Sequence, residues 1–243
     1  MSRTELGGTA KEARSEEAVA ALPSPRSGAT RAKLIAVAER LFAEQGVQAV
    51  SLNEINKAAE QRHGSACQYH FGNKDGLIQA ILDKHVPGIA RQRDCLFDEM
   101  EAAGGVPTIE QVVSAFARPV AAKLLDLDGG KEFVRLNAQL VAVHALSMAR
   151  ECPAPFAAPL TGRLNRMLNL ALTGRSIPPH VASRRLIIAS VMLFHSLADY
   201  SHVLEASDAL NHANVHIFTA DLEAMMVAAL VAPFDRQDSH DVQ

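Results

Sequence analysis

Apolar and polar positions alternate with a helical period along almost the whole of this chain. Between Thr30 and Gly46, Leu34, Val37, Ala38, Leu41 and Phe42 follow the i, i+3, i+4, i+7, i+8 spacing of an amphipathic helix. Gly46 stands where a left-handed C-cap closes it. Ser51-Leu52-Asn53-Glu54 reads as a capping box, with Val50 and Ile55 at the positions of a hydrophobic staple. A second helix is therefore expected from Leu52 to about Glu60. In a third segment, residues 65–71, Cys67 and Phe71 lie four apart on one face while Ser65, Gln68 and Tyr69 point elsewhere. So short a helix makes too few hydrogen bonds to offset nucleation, and it persists only by packing against the first two.

Beyond residue 74 the helical period continues, with breaks at Gly104-Gly105, Gly129-Gly130, Pro153 to Pro155, Gly174 to Pro179 and Ala206 to Asn211. Helices are expected over 74–103, 108–126, 131–151, 157–173, 179–205 and 211–231. Pro87 and Pro119 fall inside two of them and are expected to kink or split them, because each removes a backbone donor and crowds the preceding turn. Neither strand alternation nor an internal repeat is visible, so the fold class is all-α. Residues 1–28, poor in large aliphatics, read as a disordered tail. A helix-turn-helix head follows over 29–75, a larger helical domain over 76–232, and a short tail over 233–243.

Composition narrows the partners. The 243 residues carry 24 Lys and Arg against 27 Asp and Glu, a formal charge of -3, which excludes a uniformly basic coat for nucleic acid. Any anionic partner has to meet a local patch. Between Thr30 and Lys74, Arg31, Lys33, Arg40, Lys57, Arg62 and Lys74 outnumber Glu39, Glu44, Glu54 and Glu60, so the basic excess sits in the head. Cys67, Cys95 and Cys152 are odd in number and share no CxxC spacing, which argues for a reducing compartment and against a cysteine zinc site. No apolar run approaches a membrane span and the N-terminus lacks the apolar stretch of a signal peptide, so the expectation is a cytoplasmic protein with no membrane association. HExxH, GxSxG, GxGxxG and P-loop patterns are absent from the sequence. A catalytic Tyr69-His70 pair has no supporting spacing, so neither an enzyme nor a cofactor is expected.

Two short helices separated by Gln61 to Gly64 and braced by a longer first helix match a helix-turn-helix, whose second short helix enters the major groove. Cys67 and Phe71 anchor that helix from behind. Ser65, Ala66, Gln68 and Tyr69, with His63 beside them, are left for base edges and phosphates, and Arg31 and Arg62 add cations to the same head. His70 is expected to be structural, beside the first helix.

The run TRAKLIAVAERLFAEQGVQAVSLNEINKAAEQRHGSACQYHFGNKDGLIQAIL, residues 30–82, resembles the N-terminal domain of the tetracycline-repressor family. The features that carry the resemblance are the helix ending LFAEQG, the Ser-capped helix after it, and YHF-Gly-Asn-Lys leading into a long helix. The resemblance implies an all-α homodimer that binds a double-stranded DNA operator, with a C-terminal domain for dimerisation and for a small-molecule effector. It implies that Ser51 caps the second helix and touches a phosphate. Ser65, Gln68 and Tyr69 would lie on the recognition helix, with Tyr69 toward the backbone, and Lys74 would hold another phosphate. Gln61-Arg62-His63 stands where the family has Gly-Val-Ser or Gly-Val-Asn, so turn geometry and operator sequence are not inherited from relatives. A module that kept the fold without operator recognition is the alternative.

For the effector, Phe97, Met100, Phe116, Phe133, Leu140, Met148, Met167 and Leu170 supply an apolar interior. Asn137 and His144, seven apart on one helix face, supply the sparse polar groups that orient a ligand. A small hydrophobic effector fits this lining. His195 and His202 share a face of a later helix, where interface histidines are a stronger expectation than ligands. The last two helices, carrying Ile187, Ile188, Val191, Leu193, Leu197, Met225, Met226 and Leu230, have enough apolar surface for a four-helix dimer interface.

Overall fold

A computed structural model describes residues 25–144, 162–206 and 212–234, and among these every regular element is helical. The head comprises α1 (Pro25–Gln45), α2 (Leu52–Ala58) and α3 (Ala66–Phe71). The body comprises α4 (Lys74–Ala102), α5 (Ile109–Ala121), a 3-10 turn (Ala122–Leu125), α6 (Gly130–His144), α7 (Arg163–Ala171), α8 (Pro179–Ala206) and α9 (His212–Val231). The expected tail over 1–24, the chain from 145 to 161 that holds Met148, and the tail over 235–243 lie outside the described residues.

Local signals place the first elements. Leu34, Ala38, Leu41 and Phe42 are buried, Gly46 is left-handed at φ +91°, and its N–H donates to the Phe42 carbonyl at 3.0 Å. Ser51 closes a capping box with Glu54 in both directions, and Val50 and Ile55 are buried as a staple requires. Asn73 caps α4 by accepting from the Gly76 N–H at 2.8 Å.

Two expectations are corrected. First, α1 begins at Pro25 rather than Thr30, so residues 25–28 are helical rather than part of a tail. Second, neither proline splits its helix: α4 runs through Pro87, and α5 runs through Pro119 and tightens into a 3-10 turn only from Ala122. Neighbouring helices hold these segments, since α4, α5 and α9 pack against one another in sequence and burial outweighs one lost hydrogen bond. By length and composition alone, two late helices are apolar enough to cross a bilayer, α8 as a whole and Ala213–Val231 of α9, a criterion that the core helices of a folded domain also meet. Their apolar windows are only 44% and 33% buried, against α6 and α5 and against each other. The apolar surface left outside includes Ile188, Val203, Ile217 and Met225, with Ile217 68% exposed.

The head and body share one continuous apolar core from Leu34 to Leu230. The boundary drawn at 75/76 falls inside the first turn of α4, which belongs to both. Polar clamps reinforce the junction. On α6 the Gln139 side chain donates to the Phe42 carbonyl at 2.8 Å and accepts from the Val47 N–H at 3.0 Å, bridging the C-terminal end of α1. On α1 the buried Glu39 carboxylate accepts from His85 Nε2 and Lys84 Nζ, each at 2.9 Å. The loop before α6 closes over that carboxylate at Gly129, whose φ of +78° suits glycine and where a Cβ would come within 2.3 Å of Glu39 Oε2.

A second polar clasp ties α6 to α8. Arg135 donates to Ser201 Oγ at 2.7 Å and to Glu205 Oε2 at 2.6 Å. Partial burial pushes the Glu205 carboxyl up, but the Arg135 hydrogen bond and the charges of Arg135, Lys131 and His202 outweigh it, and its pKa falls below the ordinary 4.5. A lowered folded-state pKa stabilises above the unfolded value and is lost as pH falls through the folded one. Glu205 is partly exposed, so the contribution is under about 1 kcal/mol. Denaturation curves of Glu205→Gln should therefore lie below wild type at pH 7 and converge with it by acidification to well below 4.5.

Candidate nucleic-acid interface

The head turns its third helix outward from a support that the sequence places on the other side. Cys67 is fully buried, and Phe71 packs against the core while its ring lies 5.2 Å from the Arg31 guanidinium carbon. Between these anchors Gln68 and Tyr69 face solvent, Tyr69 at 83% exposure. His70 is half-buried, with its ring 5.1 Å from that of Tyr69 and 6.0 Å from that of Phe71. Arg62, His63 and Ser65 are exposed and Ala66 is half-buried.

Two expected contact residues carry structural duties as well. Ser65 is the N-cap position of α3 rather than part of the helix, and its hydroxyl makes no capping bond. Lys74 donates to the Val47 carbonyl at 2.9 Å, tying the start of α4 to the loop before α2. An ammonium has three donors, so this leaves others for an anion. Ser51 sits at the start of α2 with its hydroxyl accepting from the Glu54 N–H at 3.2 Å.

The turn contains no glycine at its left-handed position. Glu60 takes that conformation at φ 53°, as the C′ residue of a Schellman motif in which Gln61 N–H bonds to the Asn56 carbonyl and Glu60 N–H to the Lys57 carbonyl, each at 3.0 Å. A left-handed non-glycine residue costs about 1 kcal/mol. The Glu60 carboxylate accepts from Lys33 at 3.0 Å, and that hydrogen bond holds its pKa below the ordinary value.

Sequence reasoning missed Asn56. It is 2% exposed on α2, its Oδ1 accepts from the Cys67 N–H at 2.9 Å, and its Nδ2 donates to the Gly64 carbonyl. One amide thus spans the turn and supplies α3 with the N-terminal cap that Ser65 does not. No sequence signal separates this asparagine from a surface one.

The head is more basic outwardly than its formula. Of its four acids, Glu39 is turned inward to Lys84 and His85, while Glu54 stays exposed and accepts from the Ser51 N–H at 2.6 Å within the capping box. That backbone bond, with the Ser51 hydroxyl and the charge of Lys74, holds the Glu54 carboxyl below its ordinary value.

Most of the residues expected around an effector lie in the buried core, whereas Leu170 is 43% exposed on α7. Phe97, Phe116, Phe133 and Met167 are buried on α4, α5, α6 and α7, with Leu140 close behind and Met100 half-buried. Phe133 stacks on His85 with ring centroids 4.6 Å apart, and Asn137 donates to the Phe133 carbonyl within its own helix at 2.8 Å. The His144 side chain lies outside the described residues. Three clefts lie elsewhere, of about 240 Å³ between α5 and α9, about 390 Å³ between α1 and α2, and about 550 Å³ between α1 and α4. None of these three is lined by the expected effector residues. Arg93 was also missed: nine-tenths buried on α4, it lies over the Phe116 ring at 5.4 Å, and burial draws its pKa below the ordinary guanidinium value. His195 and His202 are exposed on α8, with His202 Nδ1 3.9 Å from Glu205.

Comparison with known proteins bears on the same stretch. The family described as bacterial regulatory proteins, tetR family, matches residues 34–81, from α1 through the first two turns of α4. The HTH-type transcriptional regulator TtgR of Pseudomonas putida is 44% identical over 54 residues, 22% of this chain and 25% of that protein. The chain thus spans about a quarter of the length of that relative. The HTH-type transcriptional repressor Rv3405c of Mycobacterium tuberculosis is 30% identical over 132 residues, 48% of this chain and 68% of that protein. A solved gamma-butyrolactone receptor (ArpA-like protein) superposes with a TM-score of 0.48 at 21% identity, over 83% of this chain and 97% of its own. With the helix-turn-helix in place and a relative of this identity matched over two thirds of its length, the chain belongs to the tetR family of bacterial regulatory proteins.

Proposed function

We propose that the protein is a homodimeric, cytoplasmic transcriptional repressor that binds double-stranded DNA through α3 and releases it when a small hydrophobic effector enters the body. The observation that carries this reading is the two-sidedness of α3, with Cys67 at the back and Gln68 and Tyr69 bare at the front. Arg31, Ser51, Arg62, His63, Ser65, Ala66 and Lys74 stand on the same head, for phosphates and base edges. The exposed apolar positions on α8 and α9, Ile188, Val203, Ile217 and Met225, support a two-fold four-helix interface between protomers. Such a dimer presents its recognition helices to successive major grooves, roughly 34 Å apart, on a pseudo-palindromic site. The apolar interior among α4, α5, α6 and α7 supports an effector of low polarity, with Met100 and Asn137 among its contacts.

The test uses a duplex selected from a random-sequence pool by the wild-type protein. Gln68→Ala combined with Tyr69→Ala should weaken binding by about a hundredfold, since each good base contact discriminates by about 1–3 kcal/mol. Dimerisation, read by sedimentation, should be unchanged. Undiminished binding by the double variant removes α3 from the reading role, and wild-type affinity that does not fall with salt removes DNA as the partner.

A further inference from the structure

The geometry points to Asn56 as the residue that sets the pose of the recognition helix, and so its sequence selectivity, although it faces away from DNA. This inference rests on α3 being the reading helix. The stretch leading into α3 gets little purchase from apolar packing, because Arg62, His63, Gly64 and Ser65 are all exposed and a Cβ on Gly64 would meet nothing within 4 Å. The backbone bonds of the turn close each end separately: Gln61 and Glu60 N–H groups return to α2, and Ala66 N–H bonds only to the His63 carbonyl at 3.2 Å. Neither ties the second half of the turn to the body of the head.

Asn56 does tie it. Its Nδ2 holds the Gly64 carbonyl just before α3, and its Oδ1 holds the Cys67 N–H in the first turn. Both contacts come from one buried side chain on α2, which is itself fixed by the buried Ile55 and Ala59. Cys67, Phe71 and the half-buried Ala66 hold α3 against its support through apolar contact, which is non-directional, so the two directional bonds of the amide are what fix the tilt of its first turn. That turn presents Ser65 and Ala66 and leads into Gln68, and the N-terminal part of a recognition helix is the part that meets base edges. The amide therefore does what a capping side chain and a tight glycine turn would otherwise do together. Ser65 makes no capping bond, and Glu60 takes the left-handed position.

The test compares wild type, Asn56→Ala and Asn56→Asp well below their melting temperatures. The probes are the selected duplex and a scrambled duplex of the same composition. Asn56→Ala should lose about tenfold to a hundredfold in preference for the selected duplex, the size of one lost base contact. Its affinity for the scrambled duplex and the salt dependence of that affinity should stay close to wild type. Asn56→Asp keeps the acceptor for the Cys67 N–H and should recover part of the preference. Amide hydrogen exchange without DNA should quicken at Cys67 and across 62–66 in Asn56→Ala, while α1 and α4 keep their protection. An unchanged preference ratio, or unchanged exchange at Cys67, overturns the inference. Should wild type itself show no preference for any duplex, the DNA-reading proposal fails, and the exchange data still decide whether Asn56 sets the pose. If Asn56→Ala does not fold, the same comparison is made with Asn56→Asp, where an unchanged ratio and unchanged exchange over 62–66 overturn it.

Discussion

Glu39→Ala is expected to lower the stability of the protein by about 3–5 kcal/mol, the cost of removing one partner from a buried charged set. The carboxylate is 1% exposed on α1 and accepts from His85 and Lys84 of α4, and Lys84 in turn binds Asp128 at 2.9 Å. Removing it leaves a buried imidazole N–H without its acceptor and takes from the Lys84 ammonium one of its two carboxylates, beneath the loop that Gly129 closes. In a chain of this size the loss corresponds to a melting temperature lower by roughly 6–20 °C. Replacing the whole contact should cost far less: Glu39→Met with His85→Leu fills the space with apolar groups and leaves Lys84 its bond to Asp128. Chemical denaturation of the two variants checks this, and a loss below about 1 kcal/mol for Glu39→Ala means that the set is not dry. Because the contact joins the head to α4, affinity for the selected duplex should fall along with stability in Glu39→Ala.

Phe97→Ala is expected to cost a similar amount, about 3–5 kcal/mol, as a large side chain removed from a packed core. Its ring has no exposed surface, and the Arg163 guanidinium carbon lies 5.5 Å from the ring centroid. Arg163 itself is fixed by Asp98 at 2.7 Å and Glu101 at 2.8 Å, so the cover cannot easily collapse into the gap. The same experiment separates two roles for this residue. A side chain lining a cavity kept open for an effector loses little stability on truncation, whereas a core side chain loses the transfer energy and leaves a void. A loss below about 1 kcal/mol places Phe97 in an effector site, and a loss near the upper figure makes it support for one.

Contiguous residues encode the features of this protein that are legible in its sequence. The amphipathic period of α1, the glycine at 46, the capping box at 51–54 and the pairing of Cys67 with Phe71 each involve residues within a few positions of one another. Local geometry satisfies or refuses each of them, so the all-α class, the helix-turn-helix and the outward face of α3 follow from the order of residues alone. The apolar length of the last two helices is underestimated by counting uninterrupted runs, because an occasional polar residue such as Thr219, buried and bonded to the Val215 carbonyl at 2.7 Å, breaks a run but not a helix.

Which polar side chains turn inward, and what they meet, is settled only when distant helices come together. Asn56 reaches Cys67 across 11 residues, Glu39 reaches His85 across 46, and Gln139 reaches the Phe42 carbonyl across 97. Nothing in the neighbouring sequence distinguishes these residues from solvated ones, since their burial depends on a surface built by other helices. The same holds for Phe97, Phe116 and Phe133, which packing buries, because hydrophobic spacing records that a face is buried and not whether anything besides protein covers it.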